Sequence, residues 1–477
     1  QNQGSWVAMT FDNKGRMITS DQYGAIYRLE LPVIGDTTKV KVEKLIIGSD
    51  ADRNADTTTL KIGMGFAQGL LYAFNSLYVM VNHNSDKNFD KNTGLYRLQD
   101  TNGDDQFDKI TLLKSFEGEP GEHGPHSIIL SPDKKSIYIS AGNHVDVPEF
   151  DTYRLPPVWQ EDNLFPQIKD PRGHANSRKA PGGWIAHIDS VGEKWELVGA
   201  GFRNEFDITF NDAGDLFTYD SDMEWDFGMP WYRPTRICHV TSGSEFGWRT
   251  GNGKWSATYP DNLPPVINIG QGSPTNFMNG YNAKFPERYR KSLFAFDWSF
   301  GIIYAVHLTP NGASYNAEAE EFLSGSPLSL TDGGIGPDGA MYFLTGGRRL
   351  ESDLYRVTAT ENISTTALVA QTGNEANQLR KTLEQYHEQK KGAIDIAWPN
   401  LKHEDRFVRY AARIAVEHQP VGEWQERALK ETDPIALTQA MIALARQGKP
   451  VVRNRMIQAL VNVDFGTLTP SQQIDLV

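Results

Sequence analysis

The stretch Gly121–Asn143, GEHGPHSIILSPDKKSIYISAGN, reads as a short strand (SIIL), a Ser-Pro-Asp turn and a second alternating strand (SIYIS) that leaves through Gly-Asn. A histidine pair, His123 and His126, stands at its entrance. The strand-turn-strand half recurs in MTFDNKGRMITSDQYGAIYRLEL from Met9, ITFNDAGDLFTYDSD from Ile208 and GGIGPDGAMYFLTGGRRLESDLYRV from Gly333, and with an eroded turn in LYAFNSLYVMVNH from Leu71. Self-similar strand pairs at spacings of roughly 40–70 residues mean radial or solenoidal repetition, and four short strands per unit make a propeller blade. The expected fold is an all-β propeller of about six blades, covering residues 1–360.

From about Glu361 the period changes. NQLRKTLEQYHEQ, DRFVRYAARIAVEHQ, PIALTQAMIALARQG and VRNRMIQALVNV place apolar residues three and four apart, and Asp433-Pro434 reads as a helix cap and first helical position. Residues 361–477 are therefore expected to be a smaller all-α domain resembling HEAT-like repeats, with His403 and His418 on helix surfaces. Gln1 starts almost directly in a strand and Val477 stops inside a helical pattern, so a segment of a longer precursor is expected.

The 477 residues carry a net charge of −13, which argues against a nucleic-acid backbone as partner and fits a soluble, exported, cation-binding protein. No apolar run is long enough to span a bilayer. Cys238 is alone, so a disulfide framework, a cysteine zinc site and a Cys-x-x-Cys-His haem attachment are excluded within this chain, and a buried small side chain is expected.

Two acidic motifs invite cations. In DTNGDDQFD, oxygen side chains at Asp100, Asn102, Asp104 and Asp108, with a backbone carbonyl offered at Gln106, have the spacing of a loop wrapped around Ca²⁺. Asp105 stands where such loops place glycine, and the bidentate Glu at position twelve is missing. In the fourth blade Asp220, Asp222, Glu224 and Asp226 alternate along an extended segment, and their repulsion calls either for a second cation or for Arg233 and Arg236. The insertion Val145–Pro181, with Asp151, Tyr153, Trp159, Asp162, Arg172, His174 and Arg178, suits a rim gripping a polar ligand, a lid or a partner surface. Asp297 and Trp298 end another second strand, and Arg348 and Arg349 close the last inner hairpin, either as an anion grip or as cover for rim carboxylates.

HGPHSIILSPD, GFRNEFDITF, DTNGDDQFD, DMEWDFGMPWYRPTRICHV, GWRTG and TDGGIGPDGAMYFLTGG together resemble the membrane-bound-dehydrogenase propellers of Bacteroidetes and Planctomycetes-type bacteria. These are similar to the soluble glucose/sorbosone dehydrogenases, which use pyrroloquinoline quinone (PQQ). The resemblance covers the first 357 residues. It implies a periplasmic or cell-surface oxidoreductase that oxidises a sugar or alcohol hydroxyl with calcium-supported quinone chemistry and passes electrons to a c-type cytochrome. By the same resemblance Glu122 and His123 supply the carboxylate and the proton-accepting imidazole, and Gln68 lies beside the quinone. Arg203 and Asn204 polarise its carbonyl, Asp220 and its neighbours mark where backbone oxygens hold calcium, and Lys284 stands for the lysine of the carboxylate clamp. The two clamp arginines are replaced by Ser329 and Thr331, and His126 has no counterpart. A neutral-pKa base, with a cation and an arginine at the developing charge, is sound chemistry for removing hydrogen from a hydroxyl carbon. Two other readings stay open: a metal-dependent carbohydrate hydrolase or lyase built on His123, His126 and the blade-four acids, and a non-catalytic glycan- or protein-binding scaffold.

Overall fold

The computed structural model describes residues 4–36, 38–48, 64–83, 92–119, 121–161, 175–226, 231–251, 253–360, 363 and 373–477. Six sheets form a closed ring. Their inner strands, in chain order, are Trp6–Phe11, Ala67–Ala73, Pro125–Leu130, Glu205–Phe210, Pro274–Asn279 and Leu330–Ile335, each beside the next and the last beside the first. Blades one, two, four and five have four antiparallel strands in sequence order, blade three adds two short parallel pairings, and blade six has three strands among the described residues.

Propeller strands bury both faces, because blades stack against one another, and the apolar residues sort accordingly. In blade one, Met17 and Leu29 pack on Ala340, Tyr342 and Leu344 of blade six, whereas Ile18 and Ile26 pack on Leu77, Val79 and Leu98 of blade two. Polar side chains on the inner strands lock the ring across the gaps between blades. Thr331 donates to the Trp6 carbonyl at 2.9 Å, Asp332 accepts the Met9 N–H at 2.6 Å, and Asp207 takes the Ser127 hydroxyl on one side and the Phe277 N–H on the other.

Burial in the channel pushes the Asp207 carboxyl up to about 6, against the opposing pull of Ser127 and the Phe277 N–H. The folded chain therefore holds this proton more tightly than the unfolded chain does. Its stabilisation is complete below the ordinary carboxylate pKa and is lost as pH rises through about 6. The expected result is that Asp207→Asn removes a downward slope of stability between about pH 4 and about pH 6, read from urea midpoints.

The chain after the propeller is helical, as the period predicted, with helices at Glu375–Glu384, Ala393–Ala397, Arg406–Glu417, Val421–Ala428, Pro434–Gln447, Arg453–Val461 and Pro470–Leu476. Asp433 caps as expected, accepting the N–H groups of Ile435 and Ala436 with Pro434 at the first helical position. These helices lie against blades three and four: Tyr410 and Ile414 join the cluster of Trp184, Phe202 and Phe246, and Arg380 pairs with Asp215 at 3.0 Å. His418 is not a surface residue, because its Nε2 bonds the Arg154 carbonyl of blade three at 2.9 Å. The HEAT-like relation rests on the sequence pattern alone. Cys238 is fully buried. No helix among the described residues is long and apolar enough to cross a membrane.

Candidate active site

One mouth of the channel opens into a cavity of about 1140 Å³. Blade geometry puts the entry to each inner strand and the exit of each second strand on this face, so residues distant in sequence meet there. Gln68, Glu122, His123, His126, Arg203, Asn204, Asp222 and Arg348, all singled out from the sequence, line it together.

His123 is the best-positioned base. Its Nδ1 lies 2.6 Å from Asn143 Oδ1, so the amide oxygen accepts the Nδ1–H and Nε2 is left as the proton-accepting nitrogen. Asn143 does not itself line the cavity. It is fixed from both sides, its N–H donating to the Arg203 carbonyl at 2.9 Å and its own carbonyl accepting Arg178 Nε at 2.7 Å. The imidazole and the Arg203 main chain are thereby tied to one residue. A Cβ at Gly142 would stand 2.4 Å from Asn204 Oδ1 and 2.7 Å from the His123 carbonyl, so the turn needs glycine for close approach. Asn143→Ala is expected to leave the fold intact and cost about 10–100-fold in kcat, because the ring loses the partner that sets its tautomer.

His126 differs in chemistry from His123. Its ring stacks on Phe206 at 3.9 Å and 17°, and burial lowers its pKa to about 3, so it is neutral at physiological pH and a poor base. Arg203 donates to the Ser221 hydroxyl at 3.2 Å and makes no ion pair among the described residues, leaving a half-buried guanidinium on the cavity wall. Asn204 Oδ1 is buried against Gly142 and the His126 side chain. Arg348 of blade six pairs with Glu122 of blade three at 3.1 Å, both exposed, so the pair spans the mouth between opposite blades. Its guanidinium lies 5.2 Å from the Trp298 ring centroid, and the Trp298 indole N–H is held by the Gly346 carbonyl. An exposed pair of this kind is worth about 0–1 kcal/mol and opens readily to a ligand.

Several expectations are corrected. Lys284 is exposed and sits beside the Pro337–Gly339 turn, at the far end of the Leu330–Ile335 strand from Thr331, roughly 20 Å away at the rise of an extended strand. Asp297 is not in the cavity: it accepts the N–H groups of Ser273 and Phe300 behind the wall. Asp220 is likewise behind it, accepting the N–H groups of Arg203 and Asn204 at 3.0 Å. Both repeat what Asp21 does for Ser5 in blade one, a polar side chain ending a second strand and capping the entry to the inner strand of its own blade.

Among the described residues no three His, Cys, Asp or Glu side chains converge on a metal position. The hydrolase site imagined for His123, His126 and the blade-four acids is therefore not assembled among them. In the Asp100–Asp108 loop, Asp100 accepts the N–H groups of Gly103 and Asp105, Asn102 that of Asp104, Asp104 that of Gln106, and Asp108 that of Thr101. The Gln106 side chain bonds the Ile46 N–H and Glu43. Asp105 adopts the left-handed φ of 68° expected of the missing glycine, and Arg16, Arg28 and Lys14 surround its carboxylate. Blade-one cations thus offset the loop's charge. Asp162, Arg172, His174 and the side chains of Glu224 and Asp226 lie outside the described residues.

Sequence reasoning missed Asn82, which grips the cavity loop through the Gly121 N–H and carbonyl. The signal was present, because Asn82 lies just past a second strand as Asn143 does, close to where Asp21 and Asp220 end theirs. It also missed Tyr23 and Phe66, which join Trp298 in an aromatic rim.

No family model matches the chain, and no curated protein matches it. Among solved structures it is similar to an oxidoreductase from Thermus thermophilus assigned as a glucose dehydrogenase, at 16% identity and a TM-score of 0.50, covering 74% of this chain and 97% of that one. Two glucose dehydrogenase structures give 13% identity and TM-scores of 0.51 and 0.50, each covering 75% of this chain and 97% of the other. At these identities the likeness shows a shared propeller fold.

Proposed function

We propose that the cavity oxidises a hydroxyl of a sugar or other small polyol, with His123 Nε2 taking the hydroxyl proton. The observation that carries the reading is the His123–Asn143–Arg203 arrangement on one cavity wall: a base of fixed tautomer facing the same space as a guanidinium that makes no ion pair among the described residues. Trp298 and Tyr23 supply flat apolar faces of the kind that sugar rings lie on, and Asn82, Glu122 and Ser273 supply polar atoms around them.

A quinone of the PQQ kind fits this space in part. The cavity is large enough, and Gln68, Arg203 and Asn204 line it. Thr331 also lines the cavity, but as a hydroxyl bonded to the Trp6 carbonyl, so among the described lining residues Arg203 and Arg348 are the cations left for carboxylates. When bound, the quinone supplies a two-electron acceptor. The chain's own contribution is to orient the hydroxyl, hold its proton at His123 Nε2, and keep positive charge at Arg203. The sugar dehydrogenases that share the fold support the same chemistry. By the resemblance the electrons pass on to a c-type cytochrome outside the cytoplasm.

The test is dye-coupled oxidation over a panel of aldoses, uronic acids and polyols, with PQQ added and calcium either present or removed. Dye reduction with at least one substrate is expected. Saturable PQQ binding without turnover on any of them would leave a binding protein.

A further inference from the structure

Behind the Ser221–Asp222 wall of the cavity lies a buried lysine. Lys254 is 4% exposed, and its ammonium donates to the Ser221 carbonyl, lies 3.2 Å from Asp220 Oδ2 and 3.4 Å from the Pro234 carbonyl. Arg236 Nε takes Asp220 Oδ2 at 3.0 Å, and the main-chain N–H groups of Arg203 and Asn204 take Oδ1. These oxygens are thus already bonded to donors of the chain itself. This is the segment where the resemblance places calcium on backbone oxygens, and the fit fails: a divalent ion there would meet two fixed positive charges and oxygens already bonded.

We propose that the Lys254 ammonium stands in the place of a metal ion, so that the cavity wall carries its own cation and needs no calcium. A cation in this position draws the Asp220 and Ser221 oxygens together, which sets the strand entry at Arg203 and Asn204, and it puts positive charge behind the cavity. Burial lowers the Lys254 pKa to about 8, while Asp220 opposes the fall, so the group is still largely protonated near neutral pH. Lys254 is a positioning residue, since it does not line the cavity. The inference does not depend on the reaction proposed above.

Calcium titration decides it without turnover. The full chain is used with Asp100→Asn and Asp104→Asn, so that the outer loop does not contribute, and calcium chloride alone is the probe. With Lys254 present, no saturable heat and a Tm change of no more than about 1 °C are expected. With Lys254→Ala in the same background, the Asp220, Ser221 and Pro234 oxygens lose their ammonium, and one equivalent of calcium should bind and raise Tm by several degrees. If the alanine variant does not fold, Lys254→Gln serves. One saturable equivalent bound with Lys254 in place would overturn the proposal, as would a folded Lys254 variant with no gain in calcium response.

Discussion

Replacing His123 by Gln is expected to lower kcat/KM by about 10²–10⁴-fold, the range that a positioned general base supplies. Gln keeps a hydrogen-bonding group of similar reach beside Asn143, and His123 is a buried residue at a strand entrance, so the protein should fold and keep its affinity for quinone. The loss should fall on kcat with KM little changed, because proton transfer belongs to the transition state. His126→Gln supplies the contrast. That ring is neutral and stacked on Phe206, so its substitution should act on packing and stability more than on the chemical step. If the two variants lose turnover equally while both stay folded, the assignment of the base to His123 fails.

The second large effect lies outside the cavity lining. Glu245 is completely buried between the propeller and the helices, its carboxylate 2.6 Å from Arg249 and 3.5 Å from Arg446. Glu417 joins the same network through Arg413 at 2.6 Å and Arg446 at 3.1 Å. Burial raises the Glu245 pKa, but Arg249 and Arg446 outweigh it and hold the group below the ordinary range. Removing the charge leaves buried guanidinium groups uncompensated, and breaking a buried pair from one side costs about 3–5 kcal/mol. Glu245→Gln should lose that much in urea denaturation. The wild type should lose this contribution as pH falls through the lowered pKa, because the unfolded chain then binds the proton more readily. A loss under about 1 kcal/mol would place the network on the surface side of the scale. The network also means that the helices are an integral wall of blades three and four.

Much of the ring was legible because propeller blades repeat locally. Alternating strands around Pro-Asp or Asn-Asp-Ala-Gly turns place the inner strands, and the residues that start them necessarily share one mouth. His123 and Arg203 could thus be brought together without coordinates. Cation sites were less legible, because spacing does not say what else a carboxylate bonds. Asp100, Asn102 and Asp104 have a calcium loop's intervals and also accept their own loop's N–H groups, and Arg16 and Arg28, which pair with Asp105, come from another blade. Asp220 looked like part of a cation site and Asp297 like a pocket residue, and both repeat the strand-capping role of Asp21. Lys254, in the unremarkable run GNGKW, reaches Asp220 only through the fold. The helix docking did leave a trace: Arg413 in YAARIAVEH interrupts an apolar face, and it is fully buried against Glu417.

The most direct test of the hydroxyl-oxidising pocket is a single-turnover measurement in which quinone-loaded protein is mixed rapidly with a sugar that supports dye reduction, and the cofactor's absorbance is followed. Bleaching is predicted in the wild type, slowed by about 10²-fold or more in His123→Gln with the quinone still bound. A bound cofactor that no sugar reduces, or one reduced at the same rate in both proteins, would contradict the account.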